Sequence, residues 1–126
     1  GCVLACHDLS DGGLVTAVAE MAIGGLLGAT LDLAAVPFEP TGGMPPSVRD
    51  LAIAFGESPG RFVCEIPAAG EQAFAVAMAD VPWAVVGCVI ERPILEIMTT
   101  AGEAIRLAVA ELTAAWRGPH ALEENA

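Results

Sequence analysis

The segment Val3-Leu4-Ala5-Cys6-His7-Asp8-Leu9-Ser10-Asp11-Gly12-Gly13-Leu14 joins a short apolar run to a polar turn that contains two glycines. The apolar residues 3–6 predict a buried β-strand, and the polar residues 7–13 predict a loop. A helix is predicted next, with Ser10 or Asp11 as its N-cap, because their side chains can accept from free backbone N–H groups. Its apolar residues recur at helical spacing: Leu14, Val18, Met21 and Ala22. Gly24-Gly25 is predicted to end this helix.

Strands and helices alternate along the rest of the chain. Further strands are predicted over residues 28–33, 62–66 and 83–90, and a hairpin over 94–98 and 104–107. Helices are predicted from Ser47, over residues 70–79, and over 109–116 before Gly118-Pro119. In the helix from Ser47, that residue and Asp50 resemble a capping box. Its predicted buried face consists of Val48, Leu51, Ala52 and Phe55. The pattern predicts an α+β fold with α/β layering, in which helices cover a mixed β-sheet.

Composition and charge exclude several classes of protein. The 126 residues are 55% hydrophobic, which argues against disorder and fits one domain. We assign residues 1–118 to a single domain and 119–126 to an acidic tail. The absence of an initiating Met predicts that this domain is a fragment of a longer chain. No apolar run is long enough to predict a membrane span. The net charge of −11 would repel a phosphate backbone, so no nucleic-acid partner is expected.

The four cysteines are predicted to be free thiols. Cys6, Cys64 and Cys88 lie in apolar runs, where cysteine behaves as a small hydrophobic residue. With no export signal, a cytoplasmic location with reducing conditions is expected. A zinc site is not favoured, because Cys2 and Cys6 would share one face of a strand while His7 points to the other.

The first motif, residues 7–14, could carry chemistry. Its glycines would let the backbone approach a ligand closely, and the N–H groups at a helix N-terminus favour an anion. His7, Asp8 and Asp11 could alternatively hold Mg²⁺. The alternative without a ligand is a tight turn with aspartate caps.

The second motif is Phe55-Gly56-Glu57-Ser58-Pro59-Gly60-Arg61-Phe62, which joins a predicted helix to a predicted strand. Glu57 could bind a ribose hydroxyl or a metal. Ser58 and nearby N–H groups could meet a phosphate that pairs with Arg61. The alternative is a surface turn in which Glu57 and Arg61 pair with each other or with water.

Together the two motifs resemble the signatures of the phosphoribosylformylglycinamidine synthase family, and residues 112–118 resemble the end of its synthetase chain. The resemblance extends over nearly all of residues 2–118 and departs at Gly60, where the family often has serine. The family belongs to the aminoimidazole ribonucleotide synthetase superfamily, and its chain carries two pairs of N- and C-terminal domains. His7-Asp8, Ser10-Asp11 and Glu57-Ser58-Pro59 favour the C-terminal domain of the second pair.

The resemblance implies an ATP-dependent C–N ligase of purine biosynthesis. That enzyme converts formylglycinamide ribonucleotide and ammonia from glutamine into the amidine, with Mg²⁺. Its catalytic histidine and magnesium ligands are in the N-terminal domains, so this chain would hold no catalytic or metal-binding residue and would be inactive alone. The second copy is expected to adjoin a structural ADP. The residues expected to border this nucleotide or its phosphates are His7, Asp8, Ser10, Asp11, Gly12, Gly13, Glu57, Ser58 and Arg61.

The implied partners are the remaining synthetase domains of the same chain and a glutaminase domain or subunit. Two alternatives stay open. One is a catalytic C-terminal domain of a related ATP-dependent enzyme, of the aminoimidazole ribonucleotide synthetase, selenophosphate synthetase or thiamine-monophosphate kinase type. The other is a purely structural interaction module.

Overall fold

The computed structural model describes residues 2–39 and 42–118. The predicted acidic tail, residues 119–126, lies outside the described residues. The strands are β1 (Ala5–Asp8), β2 (Gly28–Asp32), β3 (Phe62–Glu65), β4 (Val89–Ile90), β5 (Ile94–Met98) and β6 (Ala104–Ala108). The helices are α1 (Gly13–Gly25), α2 (Pro46–Phe55), α3 (Glu71–Ala77) and α4 (Val109–Arg117).

The described strands form two sheets. Strands β1 and β3 make an antiparallel ribbon, and the other four form a sheet in the order β4-β2-β5-β6. In the larger sheet β2 and β5 run parallel, whereas β2–β4 and β5–β6 are antiparallel. This mixed sheet with helices confirms the predicted α+β class.

The core lies between α1 and the larger sheet, with α2 and α4 packed on α1. One side of α1 is buried over two turns, which matches the predicted helical stripe. Leu31, Leu95 and Ile97 supply the sheet side of this core. The helices therefore hold the N-terminus of α1 in a fixed place beside the β1–β3 ribbon.

The predicted face of α2 is wrong. Val48, Leu51 and Phe55 are 46%, 60% and 50% exposed, whereas Ile53 is 1% exposed and Ala54 is buried. Only this narrow side of α2 meets α1, so the apolar residues on its other side remain at the surface.

The predicted capping box at the start of α2 is also wrong. Pro45 is the N-cap, with Pro46 as the first helical residue and no side-chain cap. A proline there is favourable because its missing N–H would have no partner inside the helix. Asp50 is used elsewhere, since its Oδ1 accepts from the backbone N–H of Thr100 at 2.9 Å. This bond fastens α2 to the β5–β6 turn.

The strand predicted over residues 83–90 is reduced to Val89–Ile90. The preceding residues still follow β2, because the Thr30 N–H donates to the Cys88 carbonyl at 2.8 Å. The Cys88 N–H, however, donates to the Thr30 hydroxyl at 3.0 Å. A side chain thus replaces the backbone acceptor that a regular ladder would use.

Two other elements, β1 and α3, differ by more than one residue from the sequence predictions. Strand β1 begins at Ala5 and continues through His7 and Asp8, which were predicted to be loop. Pairing with β3 keeps these two residues extended. The helix predicted over 70–79 covers only Glu71–Ala77, after a 3₁₀ turn at Ala68–Gly70. No helix in the described parts of the chain is long and apolar enough to cross a membrane.

Candidate functional site

The β1–β3 ribbon brings the two sequence motifs together. Asp8 of the first motif is the register partner of Phe62 of the second. The Leu9 N–H then donates to the Arg61 carbonyl at 2.9 Å. The motifs therefore form one surface, which we call the motif junction: residues 7–14 and 55–62.

A side chain also joins the two motifs. The backbone N–H of Gly12 donates to Oε1 of Glu57 at 2.8 Å. Gly12 is the N-cap of α1, so the Glu57 carboxylate lies at the positive end of that helix, where a negative charge is favourable. The prediction that Ser10 or Asp11 caps the helix is wrong, because no side-chain cap comes from the loop itself.

The alternative pairing of Glu57 with Arg61 does not occur. Among residues 2–39 and 42–118, the ion pairs are His7–Asp8, His7–Glu20 and Glu96–Arg106. Glu57 is held by the Gly12 amide, and Arg61 is half-buried with its carbonyl used by Leu9.

The two glycines of the first motif meet different neighbours, and Gly13 serves the contact between α1 and α2. Gly13 has a φ of +71°, and a Cβ atom there would lie 2.6 Å from the carbonyl carbon of Phe55. Gly12 has a φ of +85°, and a Cβ atom would clash with Thr16. Both backbone conformations are unfavourable for residues with a side chain. The close approach that Gly13 permits is thus to the second motif, whereas Gly12 leaves room for Thr16 within α1.

His7 is fixed by two acceptors. Its Nδ1 lies 2.6 Å from the Asp8 carbonyl and its Nε2 lies 2.6 Å from Oε2 of Glu20. Only the protonated imidazole can donate from both nitrogens. The hydrogen bond to the Asp8 carbonyl, and then that to Glu20, raise the pKa of His7 above its ordinary value.

Glu20 is a hydrogen-bond partner of His7 that the sequence analysis did not predict. It lies on α1, thirteen residues after His7. In the structure His7 lies on the ribbon face opposite the one carrying Cys6 and Asp8, and α1 contacts that ribbon. Without the packing of α1 on β1, however, the sequence gives no reason to choose Glu20 as the partner.

The other predicted site residues lie around the junction at the surface. Asp8, Ser10, Asp11, Glu57 and Ser58 are exposed, and Gly12 is half-buried. Gly13 is buried, and its N–H donates to the Ser10 carbonyl at 3.2 Å. Two N–H groups that were expected to favour an anion therefore have partners within the chain.

Most polar side chains of the junction are exposed, and the described part of the chain holds no metal centre there. No group of three or more His, Cys, Asp or Glu residues there is arranged to hold a metal ion. A cavity of about 420 Å³ lies elsewhere, between the start of α3 and Trp83. A ligand at the junction would consequently need a second wall from another domain or chain.

Comparisons with known proteins agree with the motifs. The profile of the family described as AIR synthase related protein, C-terminal domain, matches residues 1–99. The phosphoribosylformylglycinamidine synthase subunit PurL of Rhodospirillum rubrum is 44% identical over 88 residues, covering 68% of this chain and 10% of that protein. The same subunit of Brucella ovis is 38% identical over 128 residues, covering 94% of this chain and 14% of that protein. The chain thus spans about a seventh or less of the length of these relatives.

The structural comparison identifies the same group of proteins. The structure of Thermotoga maritima PurL complexed with ATP matches with a TM-score of 0.71 and 29% identity, over 89% of this chain and 19% of that one. The same protein has been solved with ADP, with FGAR and in an assembly called PurLQS.

Proposed function

Because this chain belongs to the family of AIR synthase related proteins, C-terminal domain, we propose that it works as one domain of a phosphoribosylformylglycinamidine synthase. The intact enzyme would use ATP to convert formylglycinamide ribonucleotide and ammonia into the amidine, a step of purine biosynthesis. The observation that carries the proposal is the hydrogen bond from Gly12 to Glu57. It joins, across 45 residues, the two motifs on which the resemblance rests.

We further propose that the domain borders a nucleotide and does not enclose it. Most polar side chains of the junction are exposed, and two of its N–H groups donate to Glu57 and Ser10. The second carboxylate oxygen of Glu57, the Ser58 hydroxyl and the Arg61 guanidinium are the groups we assign to face a ligand. Arg61 would meet a phosphate, since guanidinium forms paired hydrogen bonds with phosphate oxygens.

The remaining residues of the proposed border have supporting roles. Gly13 lets α1 approach the second motif, Gly12 donates its N–H to Glu57, and the pair His7–Glu20 holds the ribbon on α1. Asp8, Ser10 and Asp11 present oxygen atoms at the rim, where they suit hydroxyl groups better than phosphates.

ATP and Mg²⁺ are the cofactors we assign to the intact enzyme, with ADP as the nucleotide beside this domain. The Thermotoga maritima protein has been solved in complexes with ATP and with ADP, which supports a nucleotide. Magnesium binds carboxylate oxygens and phosphates. The described residues contain no suitable cluster, so we assign the ion to another domain.

The partners follow from the same proposal. The second wall of the site would come from the other synthetase domains of the protein, with this chain as the C-terminal domain of the second pair. Ammonia would come from a glutaminase domain or subunit, and we place the enzyme in the cytoplasm. The domain alone would be inactive, because the resemblance assigns the catalytic histidine to an N-terminal domain.

A second candidate function is that of a purely structural module. The engaged N–H groups of Gly12 and Gly13 favour it, because both act within the chain. The related catalytic enzymes of the superfamily have less support, since the relatives reported above are synthase subunits.

Nucleotide retention by the intact protein distinguishes the border from the structural module. Each protein is purified and denatured, and the ADP that it releases is quantified per mole of protein. Wild type and Arg61→Ala are compared with the control Arg106→Ala, which removes a remote surface ion pair. We expect Arg61→Ala to lose at least half of the retained ADP and the control to keep it. Equal retention of ADP in all three proteins would reject the proposal that this domain borders a nucleotide. It would favour the purely structural module.

A further inference from the structure

Two cysteines face each other across the β1–β3 ribbon. Cys6 and Cys64 are register partners, and their Sγ atoms lie 3.6 Å apart. Both therefore project from the same face of the ribbon. No part of the proposed synthase function uses this pair.

The position of the pair in the ladder favours a covalent bond. The Leu9 N–H donates to the carbonyl of its opposite residue Arg61, which makes those two a hydrogen-bonded pair. Cys6 precedes Leu9 by three positions, and the two kinds of pair alternate along an antiparallel ladder. Cys6 and Cys64 are thus a non-hydrogen-bonded pair, in which Cα atoms lie about 4.5 Å apart and side chains are closest. That separation falls within the range of disulfides.

The two thiols differ in accessibility. Cys6 is exposed, whereas Cys64 is half-buried. Burial, and then the hydrogen bond with Cys6, raise the pKa of the Cys64 thiol. The exposed Cys6 is accordingly the thiol that an oxidant meets first, with Cys64 in place to complete the reaction.

We propose that Cys6 and Cys64 form a reversible dithiol–disulfide site that links β1 to β3. The oxidant class is a low-molecular-weight disulfide, for example oxidised glutathione. The Cys6 thiolate attacks one sulfur of the oxidant, forms a mixed disulfide, and releases one small thiolate. The Cys64 thiolate then attacks the Cys6 sulfur and releases the second. Two protein thiols are oxidised, the oxidant is reduced to two small thiols, and these take up the two protons.

A disulfide between Cys6 and Cys64 would restrain the strands beside the motif junction. Cys6 directly precedes His7, and Cys64 lies two residues after Phe62, where the second motif ends. A bond between them fixes the two strands that lead into the Gly12–Glu57 contact. Oxidation should therefore slow amide exchange in the ribbon, whatever the intact protein catalyses.

The test is disulfide mapping of the intact protein after incubation with oxidised glutathione. The protein is alkylated, digested without reductant and examined by mass spectrometry. We expect a Cys6–Cys64 linked peptide that disappears with dithiothreitol. Cys6→Ser and Cys64→Ser should abolish it, and Cys64→Ser should leave a glutathione adduct on Cys6. Cys88→Ser is the matched control and should keep the link, since Cys88 is exposed beside the other sheet.

Three results would overturn the proposal: no reaction at either cysteine, glutathione adducts without an internal link, or a link that uses Cys2 or Cys88 instead. Cys2→Ser is included because Cys2 lies close enough to Cys64 for its charge to affect that thiol. The wild-type map decides the question even if a serine variant fails to fold. The covalent readout is independent of the synthase activity proposed above.

Discussion

The backbone N–H of Gly12 donates to Oε1 of Glu57 at 2.8 Å, although 45 residues separate them in the chain. The bond sets a carboxylate at the N-terminus of α1 and ties together the two motifs of the junction. The loop before α1, which the sequence suggested as an anion site, thus already binds the Glu57 carboxylate of its own chain. Because of this contact, the Gly12 N–H and one carboxylate oxygen of Glu57 are already hydrogen-bonded within the chain.

Replacing Glu57 should loosen the start of α1. Loss of a helix cap costs about 1 kcal/mol, which corresponds to roughly fivefold faster local amide exchange. We expect that increase at residues 12–15 in Glu57→Ala, measured by hydrogen exchange and mass spectrometry on the intact protein. Glu57→Gln keeps an acceptor oxygen and should show a smaller change. Unchanged exchange in Glu57→Ala would contradict the capping role.

Substitution of Gly13 should be far more damaging than substitution of Gly25. Alanine at Gly13 adopts a left-handed conformation, which alone costs about 1–2 kcal/mol, and its Cβ meets the Phe55 backbone. Gly25, at the other end of α1, has open space and ordinary φ. In pulse proteolysis at increasing urea concentrations, Gly13→Ala should be cleaved at a lower urea concentration than wild type. Gly25→Ala should be cleaved at the wild-type concentration or a higher one. Equal resistance of the two variants would refute the close contact.

The pair His7–Glu20 predicts a dependence on pH. The pKa of His7 is raised in the folded protein, so protonated His7 stabilises the fold fully below the ordinary pKa of 6.5. This contribution declines as the pH rises through the folded pKa. Glu20→Gln should lower the pKa of His7. The pKa is measured by NMR titration of histidine-labelled protein, and the His7 signal is assigned by its absence in His7→Gln. A His7 pKa that does not move in Glu20→Gln would rule out the pairing.

The isolated chain should have no synthase activity. The family resemblance assigns the catalytic histidine to another domain, and the described residues of this chain contain no metal-binding cluster. We expect no ammonia-dependent release of ADP when formylglycinamide ribonucleotide and ATP are added to the 126 residues alone. The intact protein assayed in parallel is the positive control. ADP release by the chain alone would show that it contains a complete site.

Local signals predicted much of the fold. Helix α1 and the β5–β6 hairpin lie where apolar periodicity and glycine turns indicated, because their patterns depend on neighbours in sequence. The two motifs also indicated the right family, which residues 1–99 match. The boundary of the domain at residue 118 and the ligand-facing roles at the junction stay predictions.

Features that depend on distant contacts could not be predicted in this way. The buried side of α2 is set by where α1 approaches it, so Ile53 is buried and Leu51 is not. Cys6 and Cys88 are exposed although their apolar neighbours suggested burial. Pairing with β3 kept His7 in a strand and placed it against Glu20. Each outcome follows from packing between segments that no local pattern relates.

We infer that the motif junction borders a nucleotide that takes no part in the reaction. Ammonia-dependent ADP release by the intact protein tests it most directly, with Glu57→Gln and Arg61→Ala compared with wild type and with Arg106→Ala. We predict rates within about threefold of wild type for all variants, because no transition-state contact is lost. A fall of about 10²-fold or more in folded Glu57→Gln or Arg61→Ala, the scale of a lost transition-state interaction, would contradict it and place this junction in the active site.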